Sequence, residues 1–194
     1  MANTGIDTSL VHSLNSWALS HQQLVAIAAN DLVYLVILLG GMWSLFHSYQ
    51  YIRPFAFSQF LVRGVIDGLF VLLIPVGVAT MISELISRLY LRQRPFVSLP
   101  GIQLLSPHSP DGGMPSHHTV FMIGIATAIY IYNRSLGIIL GLITLVSAVA
   151  RVAAGIHFPT DILAGLVIGI GFVLITNQII EITRNLINSG RKNR

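Results

Sequence analysis

Hydrophobic and polar positions alternate along this chain in blocks much longer than a β-strand. Five apolar stretches are long enough to cross about 30 Å of hydrocarbon as helices, at residues 24–47, 60–90, 116–133, 136–156 and 160–182. Residues that end or begin helices separate them, including Arg53-Pro54, Asn133 and Pro159. The pattern predicts an all-α integral membrane protein: a helical bundle of about five transmembrane helices, forming one domain over residues 1–194.

The first 22 residues follow a different pattern and contain no Lys or Arg. Leu10, Val11, Leu14, Trp17 and Ala18 recur at helical spacing among polar neighbours. Such a stripe predicts an amphipathic helix that lies in the membrane interface rather than crossing the bilayer. A secretory signal peptide is not expected, because the segment has neither a basic start nor a continuous apolar core.

The composition supports the membrane interpretation. Hydrophobic residues make up 54% of the chain and charged residues 9%, against about 25% charged in a typical soluble domain. The cations are scattered without a basic stripe, so the bilayer rather than a nucleic acid is the expected partner. The absence of cysteine excludes disulfides and thiolate metal sites. The sequence does not specify an oligomeric state.

Positively charged residues are distributed unequally between the loops on the two sides of the membrane. One side receives Arg53, Arg63, Arg134, Arg184, Arg191, Lys192 and Arg194, and the other receives Arg88, Arg92, Arg94 and Arg151. The positive-inside rule places the first side in the cytoplasm. The loop at 95–115, which its five prolines and three glycines exclude from being a helix, is therefore expected outside the cytoplasm.

Ionisable residues cluster at the non-cytoplasmic ends of the predicted spans, which marks a candidate site. Arginine side chains and the start of a helix at Pro115-Ser116 together form a cradle for phosphate oxygens. Two histidines can divide the chemistry, one attacking phosphorus and the other protonating the leaving oxygen. Asp161 follows His157 by four residues and can orient its imidazole. The cluster comprises Arg88, Arg94, Ser116, His117, His118, Arg151, His157 and Asp161.

Two other chemistries remain open at this point. A zinc ion could be held by His117, His118, His157 and Asp161, although the neighbouring arginines would repel a cation. Asp31 and Asp67 lie within apolar spans and raise the hypothesis of a proton relay in a transporter.

Several polar residues near the cluster are expected to be structural. His12, His21, His47 and His108 are interpreted as hydrogen-bonded residues near helix ends, since isolated histidines there usually are. Arg92 is interpreted as a cation facing solvent or lipid headgroups.

Three ordered segments resemble the type 2 phosphatidic acid phosphatase (PAP2) family. They are Arg94-Pro95, then Pro115-Ser116-His117-His118, then Arg151 followed by His157 and Asp161. The surroundings of the second segment, with Pro107-His108 before it and Thr119 after it, resemble the small bacterial undecaprenyl diphosphate phosphatases of that family.

The resemblance implies a membrane lipid phosphatase that works without a metal ion or other cofactor. His157 would form a phosphohistidine, Asp161 would orient it, and His118 would protonate the leaving group. Arg94, Ser116 and Arg151 would bind phosphoryl oxygens. The substrate would be undecaprenyl diphosphate at the outer face of the bacterial cytoplasmic membrane, or alternatively phosphatidylglycerophosphate or phosphatidate. A non-catalytic lipid-binding or transport protein is the second alternative.

The chain departs from the family pattern at three positions. Ser87 stands where the family has Lys, and Arg88 follows one position later as a candidate replacement. His117 stands at a variable position within the second segment and is a further candidate phosphate ligand. Ala150 replaces the Ser that precedes the third-segment arginine.

Overall fold

The computed structural model describes residues 5–52, 72–110 and 112–192, and all regular structure in these ranges is helical. Arg53, Arg63, Asp67, Arg194 and the 60–71 part of the second predicted span lie outside the described residues. The helices in chain order are α1 (Gly5–Ala18), α2 (Gln22–Asn30), α3 (Leu32–Ile52), α4 (Ile74–Leu89), α5 (Pro95–Ser98), α6 (His117–Tyr132), α7 (Arg134–Ala153) and α8 (Pro159–Lys192).

Three stretches of helix are long and apolar enough to cross a membrane: Gln22–His47, Arg134–Ala153 and Pro159–Thr183. The first combines α2 with most of α3, which meet at a break beside Asp31. The shorter apolar helix α6 corresponds to the third predicted span, and α4 to the described part of the second. The prediction of an all-α membrane bundle is confirmed for the described residues.

Helix α6 lies at the centre of the bundle, in contact with α3, α4, α7 and α8. Its close packing against α8 depends on two glycines four residues apart, Gly165 and Gly169. A Cβ at Gly169 would lie 2.8 Å from the carbonyl oxygen of Val120, and one at Gly165 would lie 3.1 Å from that of Ser116. Small residues let two helix backbones approach closely. This approach brings the start of α8 beside the start of α6.

Helix α1 packs against α7 and α8. Its buried face differs from the predicted apolar stripe, because it combines Val11 and Ala18 with the polar residues Asp7 and Asn15. Trp17, by contrast, is 57% exposed. Hydrogen bonds to partners elsewhere in the fold allow the two polar side chains to be buried.

The segment at 95–115 begins with a helical turn, which corrects the expectation that it contains no helix. Pro95 occupies the first position of α5, where its fixed φ suits a helix and its missing N–H is not needed. Ser98 closes the turn by donating its hydroxyl to the carbonyl oxygen of Arg94 at 3.0 Å. The segment then runs back towards α6 along the end of α7, where Leu105 N donates to the carbonyl oxygen of Ala154.

Candidate active site

His157 lies in the turn between α7 and α8 and is 2% exposed. Gly155 ends α7 with a φ of +75°, a conformation that favours glycine. A Cβ there would also lie 2.9 Å from the carbonyl oxygen of Gln103. The turn at Gly155 therefore directs the chain so that His157 points into the bundle.

The hydrogen bond at one nitrogen of His157 fixes its tautomer. Nδ1 lies 2.8 Å from the carbonyl oxygen of Gly113, which can only accept a hydrogen bond. Nδ1 therefore carries the proton, and Nε2 of the neutral ring presents a lone pair. Burial lowers the pKa of His157 well below its usual range, and the cations of Arg151 and Arg94 lower it further. The imidazole is accordingly a neutral base with Nε2 available.

Two buried arginines converge on Nε2 of His157. Nη1 of Arg94 lies 3.3 Å from it and Nη2 of Arg151 lies 3.5 Å from it. Carbonyl oxygens hold both guanidinium groups: Arg94 donates to Ile156 and Gly112, and Arg151 donates to Ala29.

Arg151 contributes an observation that points directly to an anion. Its side chain is almost fully buried, at 1% exposure, yet its Nε has no hydrogen-bond partner among the residues that the structure describes. A buried, unpaired N–H on a charged group is costly, and an oxygen-rich anion would satisfy it.

Ser116 lies at the start of α6, on the border of this cluster, and is fully buried. Its N–H donates to the carbonyl oxygen of Asp161 at 3.2 Å, and its Oγ accepts a hydrogen bond from the hydroxyl of Thr119 at 3.0 Å. The first N–H groups of a helix have no partner within the helix and favour negative charge. The start of α6 is therefore suited to phosphate oxygens.

Asp161 lies behind His157, with Oδ2 at 3.6 Å from Nδ1. This oxygen accepts a hydrogen bond from the N–H of Phe158 at 2.8 Å. The hydrogen bond that orients the imidazole is thus the one to Gly113, while Asp161 supplies a nearby negative charge and holds the turn.

The two adjacent histidines of α6 occupy different surroundings. His118 is partly buried, within electrostatic range of Arg151, His108 and Arg94. His117 instead places Nδ1 3.5 Å from Oε2 of Glu84 on α4.

Arg88 stands apart from the arginines of the cluster. Its side chain is 76% exposed and pairs with Glu84 at 2.7 Å, one helical turn away. Ser87, which stands where the family has Lys, is buried and packs against Gly112. A Cβ added at Gly112 would lie 2.9 Å from the carbonyl oxygen of Ser87. The loop carrying Gly112 therefore fills space that a long side chain at 87 would need.

The structure corrects the expected placement of Arg92 and locates His108 near the cluster. Arg92 does not face solvent, because its side chain is 13% exposed and donates to Asp161 and Asp7 at 2.6 and 3.0 Å. The ring of His108 lies 6.2 Å from that of His157, centroid to centroid. Burial and the cations of Arg94 and Arg151 lower the pKa of His108 to about 4. No local sequence pattern pointed to either placement.

The zinc alternative finds no support in this geometry. Within the described ranges, no three His, Asp or Glu side chains are grouped so that they could hold a metal ion. Asp31, which the proton-relay hypothesis placed within an apolar span, is an exposed residue in the break between α2 and α3.

The segments that form this cluster coincide with a known family. The model of the PAP2 superfamily matches residues 68–184, more than half of the chain. The chain belongs to the PAP2 superfamily. The resemblance drawn from the three sequence segments is thereby confirmed.

Curated relatives match about half of the chain. Undecaprenyl-diphosphatase BcrC of Bacillus subtilis (strain 168) is 36% identical over 95 residues, which are 48% of this chain and 49% of the relative. Putative undecaprenyl-diphosphatase YbjG of Escherichia coli (strain K12) is 33% identical over 97 residues, covering 50% and 48%. Bacitracin transport permease protein BcrC of Bacillus licheniformis is 27% identical over 93 residues, covering 48% and 46%. These matches span about half the length of each relative.

Solved structures show the same fold. A PAP2-type phosphatidylglycerolphosphate phosphatase from Bacillus subtilis superposes with a TM-score of 0.61 at 18% identity, covering 93% of this chain and 88% of that one. LpxE of Aquifex aeolicus superposes with a TM-score of 0.53 at 22% identity, covering 82% and 94%. The helical bundle is thus shared with both of these solved structures.

Proposed function

We propose that this PAP2 protein is a membrane phosphatase that converts undecaprenyl diphosphate to the monophosphate and inorganic phosphate. The observation that carries the proposal is the position of His157 Nε2, an unprotonated nitrogen within 3.5 Å of two buried guanidinium groups. A nucleophile placed among donors that match phosphoryl oxygens favours attack at phosphorus.

The first step forms a phosphohistidine. Nε2 of His157 attacks the terminal phosphorus, and the bond from phosphorus to the bridging oxygen breaks. Arg94, Arg151 and the start of α6 at Ser116 bind the phosphoryl oxygens. His118 gives its proton to the bridging oxygen, so that the lipid monophosphate leaves with that proton. Asp161 stabilises the positive charge that the imidazole gains when Nε2 bonds to phosphorus.

The second step hydrolyses the phosphohistidine. Water attacks the phosphorus while His118 takes up one of its protons, and the N–P bond breaks to release phosphate and neutral His157. Every proton transfer in this scheme is assigned to a side chain of the chain itself, so we propose that the reaction needs no metal ion. His117 faces Glu84 and Arg88 is largely exposed, so neither is assigned to the transferred phosphoryl group.

A groove between α4 and α6 supports a lipid substrate. It has a volume of about 640 Å³, and its lining includes Thr80, Met81, Leu85 and Phe121. The ion pair of Glu84 and Arg88 also lines it, and Glu84 lies near His117. An apolar chain lying in this groove would bring its phosphate end towards the start of α6. By the charge distribution of the loops, we propose that the site faces outward from the bacterial cytoplasmic membrane.

The test is phosphate release by detergent-purified protein in the presence of EDTA. Undecaprenyl diphosphate, phosphatidylglycerophosphate and phosphatidate are compared by kcat/KM, together with His157→Ala. We expect release from undecaprenyl diphosphate to persist in chelator and to vanish in His157→Ala. Ordinary activity in that variant would refute the mechanism, and preference for a glycerolipid would refute the substrate. Lipid transfer without phosphate release would favour a transport role.

A further inference from the structure

Asp7, Arg92 and Asp161 form a buried network, and Asp161 is the member of it to which the phosphohistidine mechanism gives a role. Arg92 donates from Nη2 to Oδ2 of Asp7 at 3.0 Å and from Nη1 to Oδ1 of Asp161 at 2.6 Å. The exposed fractions of the Asp7 and Asp161 side chains are 4% and 0%. The network therefore joins the N-terminal helix α1 to the carboxylate behind His157.

Thr160 and Phe158 hold this network in place. The Thr160 hydroxyl donates to Oδ2 of Asp7 at 2.6 Å, and the Thr160 N–H donates to Oδ1 at 3.2 Å. The guanidinium carbon of Arg92 lies 4.3 Å from the ring centroid of Phe158. Such packing displaces water from Arg92, and charges interact more strongly where water is excluded.

The charge balance of the three groups bears on His157. With both carboxylates ionised, two negative charges face one positive charge, and the network carries a net charge of −1. If Asp7 were neutral, Arg92 would cancel Asp161 and leave a net charge of zero. The negative charge of Asp161, whose Oδ2 lies 3.6 Å from Nδ1 of His157, would then be largely neutralised.

We propose that Asp7 is a positioning residue that acts through Arg92 to keep the charge of Asp161 effective at His157. The inference rests on the phosphohistidine function proposed above. The imidazole becomes cationic when Nε2 bonds to phosphorus while Nδ1 keeps its proton. A net negative charge behind the ring stabilises that state more than the neutral ring that precedes it, so Asp7 affects kcat rather than substrate binding.

Asp7→Asn removes the charge but keeps the shape of the side chain. We expect kcat to fall about tenfold, because one charge is lost at a site that is shielded from water. We expect KM to change by less than about twofold. The double variant Asp7→Asn/Arg92→Gln restores the net charge of −1 and is expected to have a higher kcat than Asp7→Asn alone. A purely structural role predicts the opposite, because the double variant loses more contacts.

The assay follows steady-state phosphate release and the amplitude of the acid-labile phosphoenzyme, with the thermal unfolding of each variant measured alongside. Glu181→Gln is the matched control, since this exposed acidic residue lies about 30 Å along α8 from Asp161. We expect its kcat to be unchanged. His157→Ala in the same assay separates the two ideas: activity in that variant refutes the proposed function itself.

Two results would overturn the role of Asp7. One is an unchanged kcat in Asp7→Asn, and the other is a double variant slower than Asp7→Asn. If Asp7→Asn does not fold, Asp7→Glu decides, because it keeps the charge while lengthening the side chain. A kcat within about fivefold of the unsubstituted protein supports the proposal, and a larger loss contradicts it.

Discussion

Replacement of Asn15 by Ala is a strong test of whether α1 belongs to the folded core. Asn15 is 2% exposed and makes three hydrogen bonds with backbone groups. Its Nδ2 donates to the carbonyl oxygens of Gln103 at 2.9 Å and Ala153 at 2.8 Å, and its Oδ1 accepts from the Gln103 N–H at 3.0 Å. These bonds tie α1 to the 95–115 segment and to the end of α7, two residues before Gly155.

The magnitude follows from the bonds that are lost. Each buried hydrogen bond contributes about 1 kcal/mol, and a partner left unsatisfied costs about 1–3 kcal/mol, so Asn15→Ala should lower the free energy of unfolding by about 3–5 kcal/mol. For a chain of this size that corresponds to roughly a 10 °C fall in apparent Tm. We also expect kcat to fall, because the same bonds support the turn that carries His157.

Thermal unfolding in detergent, followed by near-ultraviolet circular dichroism, measures the effect. Ser16→Ala is the matched control, since the hydroxyl of this exposed neighbour donates to the carbonyl oxygen of His12 within α1 itself. A Tm for Asn15→Ala within about 2 °C of that control would refute the reasoning, because it would mean that the three bonds contribute less than about 1 kcal/mol together.

Three further predictions concern the site. Gly155→Ala places a side chain where φ is +75° and where Cβ would meet the Gln103 carbonyl oxygen at 2.9 Å, so we expect a loss of about 2–4 kcal/mol in unfolding free energy with reduced kcat. Denaturation and turnover assays test this, and the control is Gly41→Ala, whose Cβ would have no neighbouring atom of the described residues within 4 Å. Arg94→Gln should reduce kcat/KM about 100- to 1,000-fold, whereas Arg88→Gln should change it less than about threefold; equal losses in the two variants would contradict the assigned site. The lowered pKa values of His157 and of His108, the latter about 4, mean that these two side chains bind more protons in the unfolded chain than in the folded one below about pH 6.5. Their contribution to stability should therefore be complete above that pH and decline as the pH falls towards 4. Apparent Tm measured from pH 7.5 to 4.5 should therefore fall, and His108→Gln should flatten the curve; an identical slope in that variant would refute the contribution of His108.

The sequence was sufficient to predict features whose signals are local. Long apolar stretches predicted the three helices of membrane-spanning length in the described residues, because a helix that faces lipid needs an uninterrupted run of apolar residues. Asn133 was expected to separate two helices, and its Oδ1 does accept a hydrogen bond from the N–H of Leu136 at the start of α7. Arg94, Arg151 and His157 are close together in the structure, and their ordered segments had marked them as candidates.

Contacts between residues that are far apart in the sequence could not be predicted in this way. Asp7 and Thr160 are 153 residues apart, and no periodicity relates them. The apolar-stripe interpretation of α1 treated its polar residues as solvent-facing, whereas Asp7 and Asn15 are buried because distant partners satisfy them. The acceptor at His157 Nδ1 is a backbone carbonyl at Gly113, and every residue type carries such a group.

The two central arginines explain how this bundle would favour phosphoryl transfer. Folding places Arg94 and Arg151 beside the same imidazole nitrogen. Within the described part of the chain, Nε of the buried Arg151 is left without a hydrogen-bond partner. Such an arrangement raises the free energy of the folded protein, because like charges are held close together in a medium that screens them poorly. A phosphoryl group reverses both costs, since it neutralises the cations and supplies oxygens to the unpaired donor. Because the donors are already in place, little reorganisation is needed when charge develops at phosphorus, and the stabilisation is then directed to the transition state.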